Sequence, residues 1–133
     1  MLEDFIKANE LQAKILPLPV KAPTIKCTLF KCNDTDVLAI SFASKEIDPK
    51  KLAKAVGAKE AKPIALEEAE DLTGYDFEFI PPVSIYGIKV VVDSQLFVAE
   101  KVKCLISAEQ VLEITPKEIV ESNDEAIKTD ITQ

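Results

Sequence analysis

Apolar residues near the start of the chain fall at Leu2, Phe5, Ile6 and Leu11. That spacing keeps one helical face apolar and predicts a short helix over 2–11. The period then changes. Lys14 to Pro19 reads as extended, because Pro17 and Pro19 exclude a helix, and Pro23 ends that stretch. Thr24 to Cys32 and Val37 to Phe42 are β-rich, with turn chemistry in Asn33-Asp34-Thr35-Asp36 between them, so they pair as a hairpin. Asp48 then offers an N-cap and Pro49 a first helical residue. Leu52, Ala53 and Val56 form one apolar stripe, and Gly57 suits a left-handed stop. A second helix over 66–72 stops at Gly74, with a short strand near Pro63 between the two helices. A long loop follows from Tyr75 to Gly87, centred on Pro81-Pro82. Short strands are predicted over 89–92, 96–99, 102–106 and 111–114. Thr115-Pro116-Lys117-Glu118 is a capping box that opens a last helix through Val120. Residues 122–133 are polar and are expected to fray. The sum is a mixed α/β domain with a strongly curved sheet and three or four short helices.

Composition narrows the chemistry. A chain of 133 residues with 47% hydrophobic content can bury about two thirds of its unfolded surface. It is expected to form one domain over 1–133, with a core over about 24–120 and a polar tail at 122–133. No apolar run reaches the roughly 18 residues of a membrane span, and Met1-Leu2-Glu3-Asp4 is acidic where a secretory signal would be basic. The expected location is the cytoplasm. The sequence holds no His, Arg or Trp. Ser-His-Asp and Cys-His nucleophile arrangements, the HExxH zinc site and bidentate guanidinium clamps are therefore excluded. Lys is the one strongly cationic residue type.

Cys27, Cys32 and Cys104 are odd in number, which argues against a disulfide framework. Cys27 and Cys32, five apart in a strand, point to opposite faces and make a poor zinc site. They read as small core hydrophobes. The net charge of −7 looks wrong for a nucleic-acid binder, but it is unevenly spread. Residues 1–62 carry 11 Lys and 8 acids, and residues 63–133 carry 5 and 15. A basic half beside an acidic half permits a local cationic patch as well as a plain solvated lysine surface.

Within the first long strand, Lys26, Thr28 and Phe30 share the face opposite Ile25, Cys27 and Leu29. Lys26 then either borders a cleft or serves as a solvated lysine of an edge strand. Glu67, Glu68, Glu70 and Asp71 read as a solvated helix face, and Asp93 as a turn-former at a strand end.

The order of these segments resembles a known family. Ile25-Lys26-Cys27-Thr28-Leu29-Phe30 is similar to its lysine strand, with one residue inserted before the Thr-Leu pair. Leu72-Thr73-Gly74-Tyr75, Val90-Val91-Val92-Asp93, Ser107-Ala108 and Leu112-Glu113-Ile114 match further segments. From Thr24 to Val120 the chain resembles the YbaK/prolyl-tRNA-synthetase-associated domain family, whose members hydrolyse mischarged aminoacyl-tRNA. The resemblance implies a curved mixed sheet with short helices and ester hydrolysis in trans, with neither metal nor organic cofactor. The implied partners are the 3' end of a mischarged tRNA and a synthetase, not DNA or a membrane.

The resemblance also implies a site. Lys26 matches the lysine that contacts the terminal adenosine and the ester, where a point cation stabilises developing negative charge. In the family's Gly-x-x-x-Pro loop the glycine falls on Glu78 and the proline on Pro82, so the backbone at 78 matches an oxyanion donor. Thr28, Phe79, Ile80, Pro81, Ser84 and Ser107 fall at substrate-contacting positions. Ser84 stands at a second family glycine, and Glu109 stands at the glycine after Ser107-Ala108. A pocket of this kind serves equally a non-catalytic module that binds tRNA 3' ends, an amino acid or a synthetase.

Overall fold

The computed structural model describes residues 2–17, 24–123 and 125–133. Helix α1 (Leu2–Ala8) is followed by strand β1 (Lys14–Pro17), then β2 (Thr24–Cys32) and β3 (Thr35–Phe42). Helix α2 (Pro49–Ala55), strand β4 (Ala61–Pro63) and helix α3 (Leu66–Thr73) come next, then strand β5 (Lys89–Asp93). Strands β6 (Val102–Leu105) and β7 (Gln110–Ile114), helix α4 (Pro116–Glu121) and strand β8 (Ile127–Thr129) complete the described elements. The expected mixed α/β arrangement with short helices is the one the chain adopts.

Local chemistry accounts for the helix ends. The Lys50 amide donates to Asp48 Oδ1 at 2.9 Å, and Pro49 begins α2. Thr115 Oγ1 and the Glu118 carboxylate cap each other's backbone amides at 3.1 and 3.4 Å, the reciprocal box that the sequence pattern predicts. Gly74 closes α3 at φ +79°. The first helix ends three residues earlier than the apolar spacing suggests, because Glu10 turns to φ +53°.

The strands form one mixed sheet, ordered β1-β7-β6-β2-β3-β5-β8 among the described residues, with β4 also joined to β2. β2 and β3 pair antiparallel from Ile25↔Phe42 to Cys32↔Thr35. β5 runs parallel to β3, and β6 runs parallel to the start of β2. Val37 to Ile40 are all fully buried, as expected of a strand covered on both faces. Leu38 and Ile40 join Ile25, Leu29, Val90, Val92, Leu112 and Ile119 in the larger core. Val37 and Ala39 point the other way and pack with Phe30, Cys32, Leu52, Val91 and Ile131. Cys27 and Cys32 therefore sit in different cores, in keeping with their predicted opposite orientation.

Two expectations are corrected. Residues 96–99 do not form a strand; Ser94–Val98 is a 3-10 turn in which Leu96 is buried and Val98 is 86% exposed. Four successive apolar residues with one buried do not alternate as a strand requires. The segment 122–133 also does not fray as a whole. β8 adds to β5 in parallel, Ile131 is fully buried, and Thr132 bridges to Ile47. The fully buried Asp93 accepts from the Ile131 amide and the Thr132 hydroxyl, both at 3.2 Å. Lys51 Nζ reaches Asp130 Oδ2 at 2.9 Å and the Thr132 carbonyl at 2.7 Å. Asp93 is thus an anchor for a distant segment rather than a turn-former. Of the predicted extended stretch, Pro19 and Pro23 lie outside the described residues.

Candidate functional site

One edge of β2 has two different neighbours. At its start, Thr24 and Ile25 pair with Lys103 and Cys104 of β6. At its end, Phe30 to Cys32 pair with Pro63 to Ala61 of β4, and the Leu29 carbonyl accepts from the Ile64 amide at 3.1 Å. Between these two partners the sheet forks. Among the described residues, 26–28 have no strand beside them on that side. The Thr24 carbonyl accepts from Ala43 on the β3 side, so even-numbered residues of β2 turn their backbone groups to β3, and odd-numbered ones to the fork. The Cys27 N–H and C=O are the backbone groups that this alternation leaves facing the gap.

A pocket of about 430 Å³ occupies the fork. Its floor is β2 from Thr24 to Leu29. Pro63 and Ile64 stand on one side, and Cys104 and Leu105 on the other. Ala69 of α3, with Glu78 and Ile80 of the loop after it, completes the wall. The lining is mainly apolar, and Lys26 and Glu78 are its charged members. Among the described residues neither charged side chain has an ion-pair or hydrogen-bond partner, and no ion pair joins the two. Cys27 and Cys104 stand with their sulfurs 4.0 Å apart, and Cys104 Sγ lies 3.5 Å from the Ile80 carbonyl. Loss of water around the Cys27 thiol pushes its pKa well up, and the nearby Cys104 adds to this. It is a neutral wall group and not a nucleophilic thiolate. No group of three or more His, Cys, Asp or Glu stands together as a metal site among the described residues.

The structure brings some of the expected residues together and separates others. Lys26, Thr28, Glu78 and Ile80 line the pocket. Phe79 is half-buried beside it, without lining it. Pro81 and Pro82 are buried behind the wall, and the Pro82 carbonyl accepts from Asn123 Nδ2 at 2.8 Å. That bond ties the loop to the end of α4. The Glu78 amide does not point freely at a substrate: it donates to Asp76 Oδ1 at 3.0 Å, capping a 3-10 turn over Phe77–Phe79. The backbone amide at 78, which the resemblance matches to an oxyanion donor, is occupied by this cap, and Glu78 is an exposed residue of the lining.

Ser84 lies outside the pocket, 4% exposed, with φ +67°, and receives the Tyr75 hydroxyl at 3.1 Å. Ser84 thus takes a left-handed backbone, a conformation that favours glycine, and is held from outside the site. Ser107 is in a separate hollow with Pro17, Glu109 and Gln110, where its Oγ accepts from the Glu109 amide at 3.2 Å. Cys27, Ile64, Ala69, Cys104 and Leu105 were not foreseen as lining residues. They meet only through the packing of elements distant in sequence, which leaves no local signal. The Asp76 cap did have one, since an Asp two residues before an amide commonly takes it.

A protein-family model described as the aminoacyl-tRNA editing domain matches residues 6–121. Among solved structures, a hypothetical protein superposes with a TM-score of 0.87 at 22% identity, over 99% of each chain. A candidate trans-editing enzyme for prolyl-tRNA synthetase superposes with a TM-score of 0.84 at 19% identity, over 99% of this chain and 94% of that one. Similarity at those identities carries the fold alone. No curated protein matches the chain.

Proposed function

The chain belongs to the aminoacyl-tRNA editing domain family, and from that premise we propose that it is a trans-acting deacylase that hydrolyses the ester of mischarged tRNA. The observation that carries this reading is the fork in the sheet. It opens an apolar pocket onto the Cys27 backbone and beside the unpaired Lys26 ammonium. With no His in the sequence, catalysis rests on positioning and electrostatics rather than on an imidazole base. In this reading the amino-acid side chain enters the apolar part of the pocket. The ester and the terminal adenosine lie toward Lys26, whose charge favours the oxyanion as water attacks the ester carbonyl. The alcohol released is the terminal ribose of the tRNA.

The test is a deacylation panel with several mischarged tRNAs. Lys26→Ala is expected to lower kcat/KM by at least about tenfold, equivalent to about 1.4 kcal/mol of transition-state stabilisation. Unchanged turnover in a folded variant removes Lys26 from the mechanism.

A second reading, a binding module without turnover, is favoured by the Asp76 bond that occupies the Glu78 amide. Tight binding of tRNA ends with no hydrolysis across the whole panel would select it. In the hydrolytic reading the partners are the 3' end of mischarged tRNA and a synthetase; in the second they are tRNA 3' ends, an amino acid or a synthetase; the proposed setting of both is the cytoplasm.

A further inference from the structure

Opposite charges on the floor and the wall of one apolar pocket suit a ligand that carries opposite charges at a fixed separation. An aminoacyl end of tRNA is such a ligand, with a protonated α-amino group near one end and phosphates beyond the ester at the other. Lys26 on β2 suits the phosphate and carbonyl end, which leaves Glu78. Its place in the pocket is set by its backbone, because the Asp76 cap fixes the turn that carries it. Glu78 is an exposed residue of the pocket lining, and its carboxylate has no partner among the described residues. Most of the remaining lining is apolar and offers an ammonium no competing anion. A ligand seated over Glu78 also displaces water from it, and an ion pair strengthens as water leaves.

Resting on the reading of this pocket as the aminoacyl site, we propose that Glu78 recognises the protonated α-amino group of the esterified amino acid. The pocket then takes aminoacyl esters with a free amino group and rejects those whose amino group is acylated or absent. Glu78 is thus a specificity-determining residue, and the bulk that replaces a glycine becomes a filter.

The experiment uses ligands that cannot be hydrolysed: 3'-amino-3'-deoxyadenosine carrying alanine, cysteine or proline through an amide. Each is compared with its N-acetylated form and with the analogue lacking the amino group, by calorimetry on the whole chain. The unmodified ligands are expected to bind about tenfold more tightly than either control, the size of one charged hydrogen bond. Glu78→Gln, a conservative change at an exposed position, is expected to abolish that preference while retaining affinity for the controls. Equal binding of all three ligand forms overturns this inference and leaves the aminoacyl reading standing. So does a preference that survives in Glu78→Gln, which would make the discrimination steric. If no form binds, the aminoacyl reading falls and this inference falls with it.

Discussion

Replacing Asp93 tests how the segment beyond α4 is held. Its carboxylate is fully buried at the end of β5 and accepts two hydrogen bonds, from the Ile131 amide and the Thr132 hydroxyl, each at 3.2 Å. Hydrogen bonds to a charged group contribute about 1.5–3 kcal/mol each. Asp93→Ala therefore forfeits about 3–6 kcal/mol of interaction and leaves two donors without an acceptor. Part of the loss is offset, because a charge no longer has to be buried, a saving of several kcal/mol. The expected net destabilisation is about 3 kcal/mol, at the low end of what breaking a buried charged contact costs. For 133 residues, 1 kcal/mol corresponds to about 3.5 °C in Tm, so the variant should melt about 10 °C lower. Asp93→Asn keeps one carbonyl for the Ile131 amide and can donate to the Thr132 oxygen, so it should cost only about 1 kcal/mol, a neutral hydrogen bond's worth. Urea unfolding of the three proteins gives the energies, and amide exchange of residues 127–132 locates the loss. The reasoning is refuted if Asp93→Ala lies within about 0.5 kcal/mol of the parent, the range of an ordinary surface change, or if those amides stay protected.

Three further outcomes follow from described contacts. Cys27 and Cys32 hold their protons more tightly when folded than when unfolded, because burial pushes both pKa values above the ordinary 9.0. Their contribution is therefore complete below that value and lost as pH rises past it; unfolding free energy measured from pH 7 upward should fall less steeply in Cys27→Ala than in the parent. Ser84→Ala keeps the left-handed strain but loses the Tyr75 bond, costing about 1 kcal/mol, whereas Ser84→Gly sheds the strain and should lie nearer neutral in urea; equal losses would refute this account. If tRNA binds the lysine-rich half, affinity should fall with salt. Removing the exposed Lys50 or Lys54 should then lower the log–log slope by about 0.7–0.9 per lost phosphate contact. Lys51, already bonded to Asp130 and Thr132, should instead affect stability.

What the sequence made legible was mostly local. Asp48 with Pro49, Gly74, and Thr115 with Glu118 act within one turn, and each marks a helix end close to where it occurs. The β2–β3 hairpin was equally readable, because four turn-forming residues join two β-rich runs. The β8 segment escaped because Ile127 and Ile131 are isolated apolar residues in a polar stretch, and their partners, Val91 and Asp93, lie far back in the chain. The site divides along the same line. Lys26, Thr28, Glu78 and Ile80 were named from a resemblance and share one pocket. Ser84 and Ser107 came from the same resemblance and stand elsewhere, because motif position says nothing about which side of a loop faces a fork.

The fork also sets a timetable. β2, β3 and α2 are neighbours in sequence, and their contacts can form as soon as about fifty residues exist, since closing short loops costs little. β4 follows shortly afterwards and supplies one arm. The other arm is β6, which pairs Ile25 with Cys104. Until residues 102–105 have been synthesised, the exposed stretch of β2 is an open margin rather than a cleft. Such distant pairings dominate the sheet, with β1 waiting for β7 and β5 waiting for β8, and distant pairings make for slow folding. A nascent chain thus holds a hairpin and a helix long before it holds a pocket, and the Lys26 charge has no enclosed volume to act in until nearly all of the described sheet has been made.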